Sequence, residues 1–362
     1  MINLIPAEYY EQIWYTILLI LVLRAIIQLR TKKYVILNPK NKEYASLLLL
    51  VFTFLYIGLR PLDAIFVDMG TYNAFFDAYA SGSIKVFLDY DILWQLFTKT
   101  CSGIMTSTQY FFLCVIIYTL PLYIACKKWL GVGNYFLFLM FICSFSFWSY
   151  GVNGIRNGIA TSIFVLAISL YDKKYLKYGL LVISYFIHGS LIIPIVAFVL
   201  TLFYTNPKHY LLGWLLCISL SLALGSVFEV FFGSLGFEED RTRYLTQGNI
   251  NNDSFTYTGF RWDFLIYSSA AVYTGYYFII KKKFNDKIYI QIFNIYVVAN
   301  SFWILVIRSN FSNRFSYLSW FLMAVVIFYP FFKKQFFKKQ QKVLAYTILV
   351  YFGFTYLLFL LK

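Results

Sequence analysis

Twelve apolar runs, most of them near membrane-spanning length, alternate with short polar gaps along this chain: 12–30, 45–60, 109–126, 134–150, 157–171, 178–188, 190–204, 211–235, 262–280, 288–307, 315–332 and 343–361. A hydrocarbon core about 30 Å thick takes roughly 20 helical residues, so the series confines the chain to helices that pack within a bilayer. Composition agrees. The 362 residues are 60% hydrophobic and 22% aromatic but only 13% charged. A soluble fold of this size cannot hide so much apolar surface. The expected architecture is an all-α polytopic integral membrane protein of about twelve transmembrane helices, forming one transmembrane domain over 1–362. Glu8 and Glu11 stand where a cleaved leader carries basic residues, which predicts that the first span is retained.

The basic residues sort by type and by place. Of 22 lysines, 19 fall in alternate gaps: 32, 33, 40 and 42; 127 and 128; 173, 174 and 177; 208; 281–283 and 287; and 333, 334, 338, 339 and 342. The positive-inside rule makes these gaps cytoplasmic and places both termini outside. Seven of the nine arginines fall in the other gaps. Arginine on the outer side runs against the usual bias, which suggests that it binds something anionic, such as a phosphate-bearing lipid. The net charge of +15 then reports on headgroups and topology. With no soluble basic module, nucleic acid is not an expected partner. The five cysteines have no metal-ligand spacing, so neither a metal nor a disulfide framework is expected.

Lys177 and Lys208 both belong inside, yet little chain separates them. This predicts two short helices over 178–204, turning at His188-Gly189-Ser190 as a thin hairpin or re-entrant pair. Two outer segments, 61–108 and 236–261, are too long for turns. In the first, Tyr72, Phe75, Phe76 and Tyr79 recur at helical spacing, Asp68 is placed to cap that helix, and 84–97 reads as a second interfacial helix. Asp89 and Asp91 read as part of a solvated helix face.

Arg156, Arg261 and Arg314 each precede a helix running inward, where unpaired N–H groups and the guanidinium together make an anion site. Asn157 and Asn313 sit beside two of them. The guanidinium fork suits phosphate oxygens. The plainer reading is interfacial anchoring, with apolar stems covering apolar surface. His188 at a membrane rim can accept a proton near neutral pH, or can simply end a short helix. Asp68 is a general base or an N-cap. The aromatic residues of 61–108 stack on sugar rings or form a headgroup belt. No phosphate-cradling glycine loop, zinc-protease helix or nucleophile elbow occurs.

Several stretches, in this order, resemble the EpsG-type family of Wzy-like bacterial polysaccharide repeat-unit polymerases. They are Gly58-Leu-Arg60, Val67-Asp68-Met-Gly-Thr-Tyr72-Asn-Ala-Phe75, Gly154-Ile-Arg156-Asn-Gly-Ile-Ala160, Tyr185-Phe-Ile-His188-Gly-Ser190 and Asn313-Arg314-Phe-Ser-Tyr317. The similarity covers most of 45–325. The family's Arg-Gln pair stands here as Arg156-Asn157, and its acidic residue with proline as Asp89-Tyr-Asp91.

The resemblance implies a glycosyltransferase of the bacterial inner membrane that needs no cofactor, metal or nucleotide. It would join oligosaccharide repeat units carried on undecaprenyl diphosphate at the outer face, as in O-antigen or capsule synthesis. One lipid-linked glycan serves as donor and another as acceptor. On this reading His188 and Asp68 are the catalytic candidates. Arg156, Arg314, Arg60, Arg241 and Arg243 bind the diphosphate, and Asn157, Tyr72 and Tyr317 contact acceptor or sugar. A chain-length regulator in the membrane would be a further partner. Two alternatives remain open. A flippase for the same lipid-linked glycan would carry its charges along a central cavity, and an O-antigen ligase would differ in its acceptor.

Overall fold

All twelve apolar runs are helical in the computed structural model, which describes residues 5–31, 40–234, 259–309 and 312–361. The helices are α1 (Tyr10–Thr31), α2 (Lys40–Gly58), α3 (Asp68–Ala80), α4 (Ile92–Ser102), α5 (Ser107–Leu130), α6 (Asn134–Ile142), α7 (Phe145–Val152), α8 (Ile155–Ser169) and α9 (Lys174–Ile187). Then come α10 (Ile192–Phe203), α11 (Pro207–Ser234), α12 (Trp262–Tyr276), α13 (Lys287–Leu305), α14 (Ser312–Trp320), α15 (Met323–Lys333) and α16 (Gln340–Leu360). Among the described residues there is no strand. The protein is a helical membrane protein.

The expected count of about twelve spans is not met by helices of spanning length. Among the described residues six pass on length and hydropathy, or seven if α6 and α7, bent by 68° at their junction, form one span. The remaining runs are shorter, such as Glu43–Gly58, Ile155–Ser169 and Gly189–Phe203. At 1.5 Å per residue, a helix of that size falls short of a full hydrocarbon core. Run counting treats each apolar stretch as a crossing, whereas several of these helices are buried against neighbouring protein.

By contact the described chain divides into two compact units, Met1–His188 with Phe331–Lys362, and Gly189–Pro330. In the first unit α5 is central and packs against α2, α6 and α8, while α8 also packs against α7 and α9. A capping box starts α5: Thr106 Oγ1 accepts from the Gln109 N–H, and Gln109 Oε1 accepts from the Thr106 N–H at 2.9 Å. Gly131, at φ 52°, ends it. Close approach of backbones sets the α7–α8 corner. A Cβ on Gly158 would meet the Tyr150 carbonyl oxygen at 2.7 Å, so only glycine lets α8 lie this near α7. Tyr118 on α5 donates to the Phe147 carbonyl at 3.0 Å and ties α5 to the same corner.

The segment before α4 differs from its sequence reading. Helix does not begin until Ile92, so 84–91 is irregular rather than helical. Gln95 holds it: its Oε1 accepts from the Phe87 N–H at 2.8 Å, and its Nε2 donates to the carbonyls of Phe87 and Tyr90 at 3.1 and 2.6 Å. Tyr79 of α3 donates to the same Oε1 at 3.2 Å. Burial and the neighbouring Tyr90 push the Tyr79 phenol above its ordinary pKa, which keeps it a donor. The inward face of α3 runs through Met69, Phe76 and Tyr79, and Phe75 is exposed. Asp68 does not cap α3. Val67 holds the cap position with no side-chain bond, and Asp68 is the first helical residue, where its charge still favours the helix dipole.

The second unit is organised on α13, which packs against α10, α11, α12 and α14. Several of its buried polar groups are paired within the protein, which spares them an unmet hydrogen bond away from water. Trp214 Nε1 donates to Asn300 Oδ1 at 2.8 Å, and Asn300 Nδ2 donates to Ser319 Oγ at 3.0 Å. Trp320 Nε1 donates to Ser268 Oγ at 2.6 Å. Helix breaks at His188, as expected, with extended backbone there (φ −153°, ψ 111°) before the short 3₁₀ turn Gly189–Leu191.

Candidate functional site

Three separate helix ends of the first unit converge on one carboxylate. Asp91 immediately precedes α4, Arg156 is the second residue of α8, and His188 follows the last residue of α9. Arg156 Nη1 lies 2.7 Å from Asp91 Oδ2, and His188 Nδ1 lies 3.3 Å from the same oxygen. The Asp91 side chain is 1% exposed, that of His188 2% and that of Arg156 27%. The cluster is thus closed on the aspartate and histidine side and opens through the arginine.

Asp91 occupies the N-cap position of α4, where an aspartate ordinarily accepts from its own helix. It makes no such bond. Its backbone is left-handed (φ 46°, ψ 41°), a conformation that Asp and Asn tolerate better than other non-glycine residues. The left-handed turn aims the carboxylate at α8 and α9, and the Gln95 clamp fixes the segment that leads into it. A buried carboxylate is costly unless paired, and here a guanidinium supplies the counter-charge. Against a carboxylate, the histidine Nδ1 carries the proton and donates. In a neutral imidazole that donates from Nδ1, Nε2 is the accepting nitrogen.

Each of the other expected site residues has surroundings of its own. Asn157 is buried at 3% exposure, and among the described residues neither end of its carboxamide has a hydrogen-bond partner. Tyr72 packs edge-on against Trp94, with ring centroids 5.6 Å apart. Asp68 is partly exposed at the start of α3. Arg60 is buried, and its Nη1 donates to the Ile57 carbonyl at 2.7 Å. Arg314 and Tyr317 belong to α14, in the second unit. Arg314 is partly exposed, and Tyr317 is buried beside Trp320 at 5.7 Å between centroids. Arg261 does stand before a helix, but its anion is local. It forms a two-pronged pair with Asp263 at 3.0 and 2.6 Å and lies over the Phe264 ring. Arg241 and Arg243, with nearly all of 236–261, lie outside the described residues, and no side chain is described for Asn313.

Asp91 is the residue that pattern reading misplaced. Asp89 is solvent-exposed, as expected, but Asp91 is buried. Its signal was the pairing of an acidic residue with the long outer segment, and only the fold shows which of the two carboxylates turns inward. No group of three or more His, Cys, Asp or Glu side chains converges on a metal-sized site among the described residues.

No curated protein and no solved structure is significantly similar to this sequence. Residues 43–362 match the EpsG family over most of the chain. The chain therefore belongs to the EpsG family, helical membrane proteins with a polymerase-like role in polysaccharide biosynthesis.

Proposed function

We propose that the protein polymerises oligosaccharide repeat units carried on undecaprenyl diphosphate, at the outer face of the bacterial inner membrane, with both termini facing outward. The observation that carries this reading is the shared Asp91 Oδ2, which pairs with a cation suited to phosphate and with an imidazole suited to proton transfer. In the reaction the acceptor's sugar hydroxyl attacks the donor's anomeric carbon. The new glycosidic C–O bond forms, the bond from anomeric carbon to diphosphate oxygen breaks, and undecaprenyl diphosphate leaves. Arg156, oriented by Asp91, binds the leaving diphosphate, whose charge grows in the transition state. His188, whose Nδ1 faces Asp91, takes the hydroxyl proton at Nε2. Asp91 touches neither substrate and acts as a positioning residue. The donor is already activated by its lipid diphosphate, so the chemistry uses no nucleotide.

Asp68 is the alternative base in this proposal, and Asp68→Asn tests that role. Arg314, in the second unit, is proposed as a further phosphate contact, and replacement there tests that role separately. The deciding experiment is deletion of the gene followed by gel analysis of surface polysaccharide. Loss of long chains with single repeats retained supports polymerisation. Accumulation of lipid-linked polymer without transfer would indicate ligation instead, and loss of every external repeat would indicate export.

A further inference from the structure

We infer that Arg60 is an anion-binding residue whose ligand is a phosphate group carried on a lipid. Arg60 follows the last turn of α2 and is 2% exposed. Its Nη1 donates to the Ile57 carbonyl at 2.7 Å, while Nε and Nη2 are buried with no hydrogen-bond partner among the described residues. The guanidinium carbon lies 5.7 Å from the ring centroids of Phe66 and of Phe111. The Tyr10 phenol and the Cys114 thiol are near it, and among the described residues no carboxylate forms an ion pair with it. A guanidinium withdrawn from water needs an opposite charge and acceptors for its N–H groups. Arg156, in the same unit, has Asp91. Arg60 has aromatic faces and one carbonyl.

Closing the end of α2 accounts for only part of this arrangement. A helix C-terminus attracts arginine, and Nη1 serves that purpose. The unsatisfied pair, Nε and Nη2, is the side of the guanidinium whose two parallel N–H bonds match a phosphate or carboxylate. The surroundings choose between those anions. Leu59, Leu62, Ile65 and Val67 expose apolar side chains around the same turn, so the ligand carries a hydrocarbon chain beside its anionic head. In a bilayer that describes a phospholipid or an isoprenyl diphosphate. Phe66 covers the guanidinium and must swing aside for entry. The backbone bonds that hold it are local, from Phe66 N to the Asp63 carbonyl and from Met69 N to the Phe66 carbonyl.

The test uses full-length protein in neutral detergent, titrated separately with farnesyl diphosphate and with dioleoylphosphatidylglycerol. Native mass spectrometry measures stoichiometry and affinity, and farnesol and diacylglycerol serve as headgroup-free controls. The expected result is one bound equivalent of at least one phosphorylated probe, weakened at least tenfold in Arg60→Gln but retained in Arg156→Gln. Loss confined to farnesyl diphosphate identifies an isoprenyl diphosphate as the ligand, and loss confined to phosphatidylglycerol identifies a resident phospholipid. Unchanged affinity of both probes in Arg60→Gln overturns the inference, as does absence of binding to the unaltered protein. Should Arg60→Gln not fold, Phe66→Ala keeps the guanidinium and uncovers it. Affinity should then rise several-fold, and no change overturns the site. Because binding is read without sugar transfer, failure here leaves the proposed reaction standing.

Discussion

Arg156 on α8 reaches Asp91, at the entrance to α4, and closes to 2.7 Å on its Oδ2. The pair is the cluster's electrostatic core, so the two residues should be coupled in function. Asp91→Asn keeps side-chain size and tolerance of the left-handed backbone and removes only the charge. Polymer formation should fall by about 10²-fold or more, with membrane abundance largely held. The double variant Asp91→Asn/Arg156→Gln should lose little beyond the worse single variant. Additive losses would show that the two act independently.

Much of the architecture was legible because membrane helices announce themselves by composition. Every apolar run is helical, and the break at His188 follows from the short distance between Lys177 and Lys208. The number of true crossings was not legible, because an apolar run of about 15 residues reads the same whether it faces lipid or protein. Arg156 and His188 were identified from their positions at helix ends. Asp91 was missed because its meaning depends on a left-handed turn and on the clamp by Gln95, neither of which has a periodic signature. Tyr317 comes in as a sugar contact through the family resemblance alone, and a motif match carries no information on burial: its ring is buried beside Trp320.

Arg156→Lys keeps the positive charge but loses the planar fork. An ammonium can still pair with Asp91, yet it cannot hold the carboxylate and a phosphate oxygen along separate edges. Chain length on gels should shorten sharply while abundance in the membrane stays near normal. Full-length polymer from Arg156→Ala would show that this arginine is an anchor only.

Gly158→Ala tests whether the α7–α8 corner sets the site. A methyl group would meet the Tyr150 carbonyl oxygen at 2.7 Å, which is backbone and cannot turn away. The two helices must separate, at a cost of about 1–3 kcal/mol. Thermal unfolding in detergent should shift down by several degrees, and activity should fall because Arg156 moves with α8. An unshifted melting temperature would mean that the corner is looser than its geometry implies.

The topology can be tested independently of chemistry. Single cysteines at 173, 281 and 338, in a chain whose native cysteines have been replaced, should resist a membrane-impermeant maleimide in intact cells and react after lysis. Cysteines at 75 and 88, where the native side chains are exposed on the outer segment, should react from outside. Labelling of position 281 in intact cells would reverse the assignment of sides and move the Asp91 cluster to the cytoplasmic face.

His188 carries the sharpest distinction between a proton acceptor and a structural residue. Its Nδ1 is 3.3 Å from Asp91 Oδ2, and its side chain is almost fully enclosed. A histidine that only ends α9 and fills space should be replaceable by glutamine, which is similar in size and can donate to the same carboxylate. A general base should not be, because an amide nitrogen accepts no proton at neutral pH. Both His188→Ala and His188→Gln should therefore abolish long chains at unchanged abundance, with Gln rescuing little. Normal chain lengths from His188→Gln would remove the base assignment and leave Asp91 and Arg156 as a phosphate clamp, with the acceptor's proton passing to water or to another outer carboxylate.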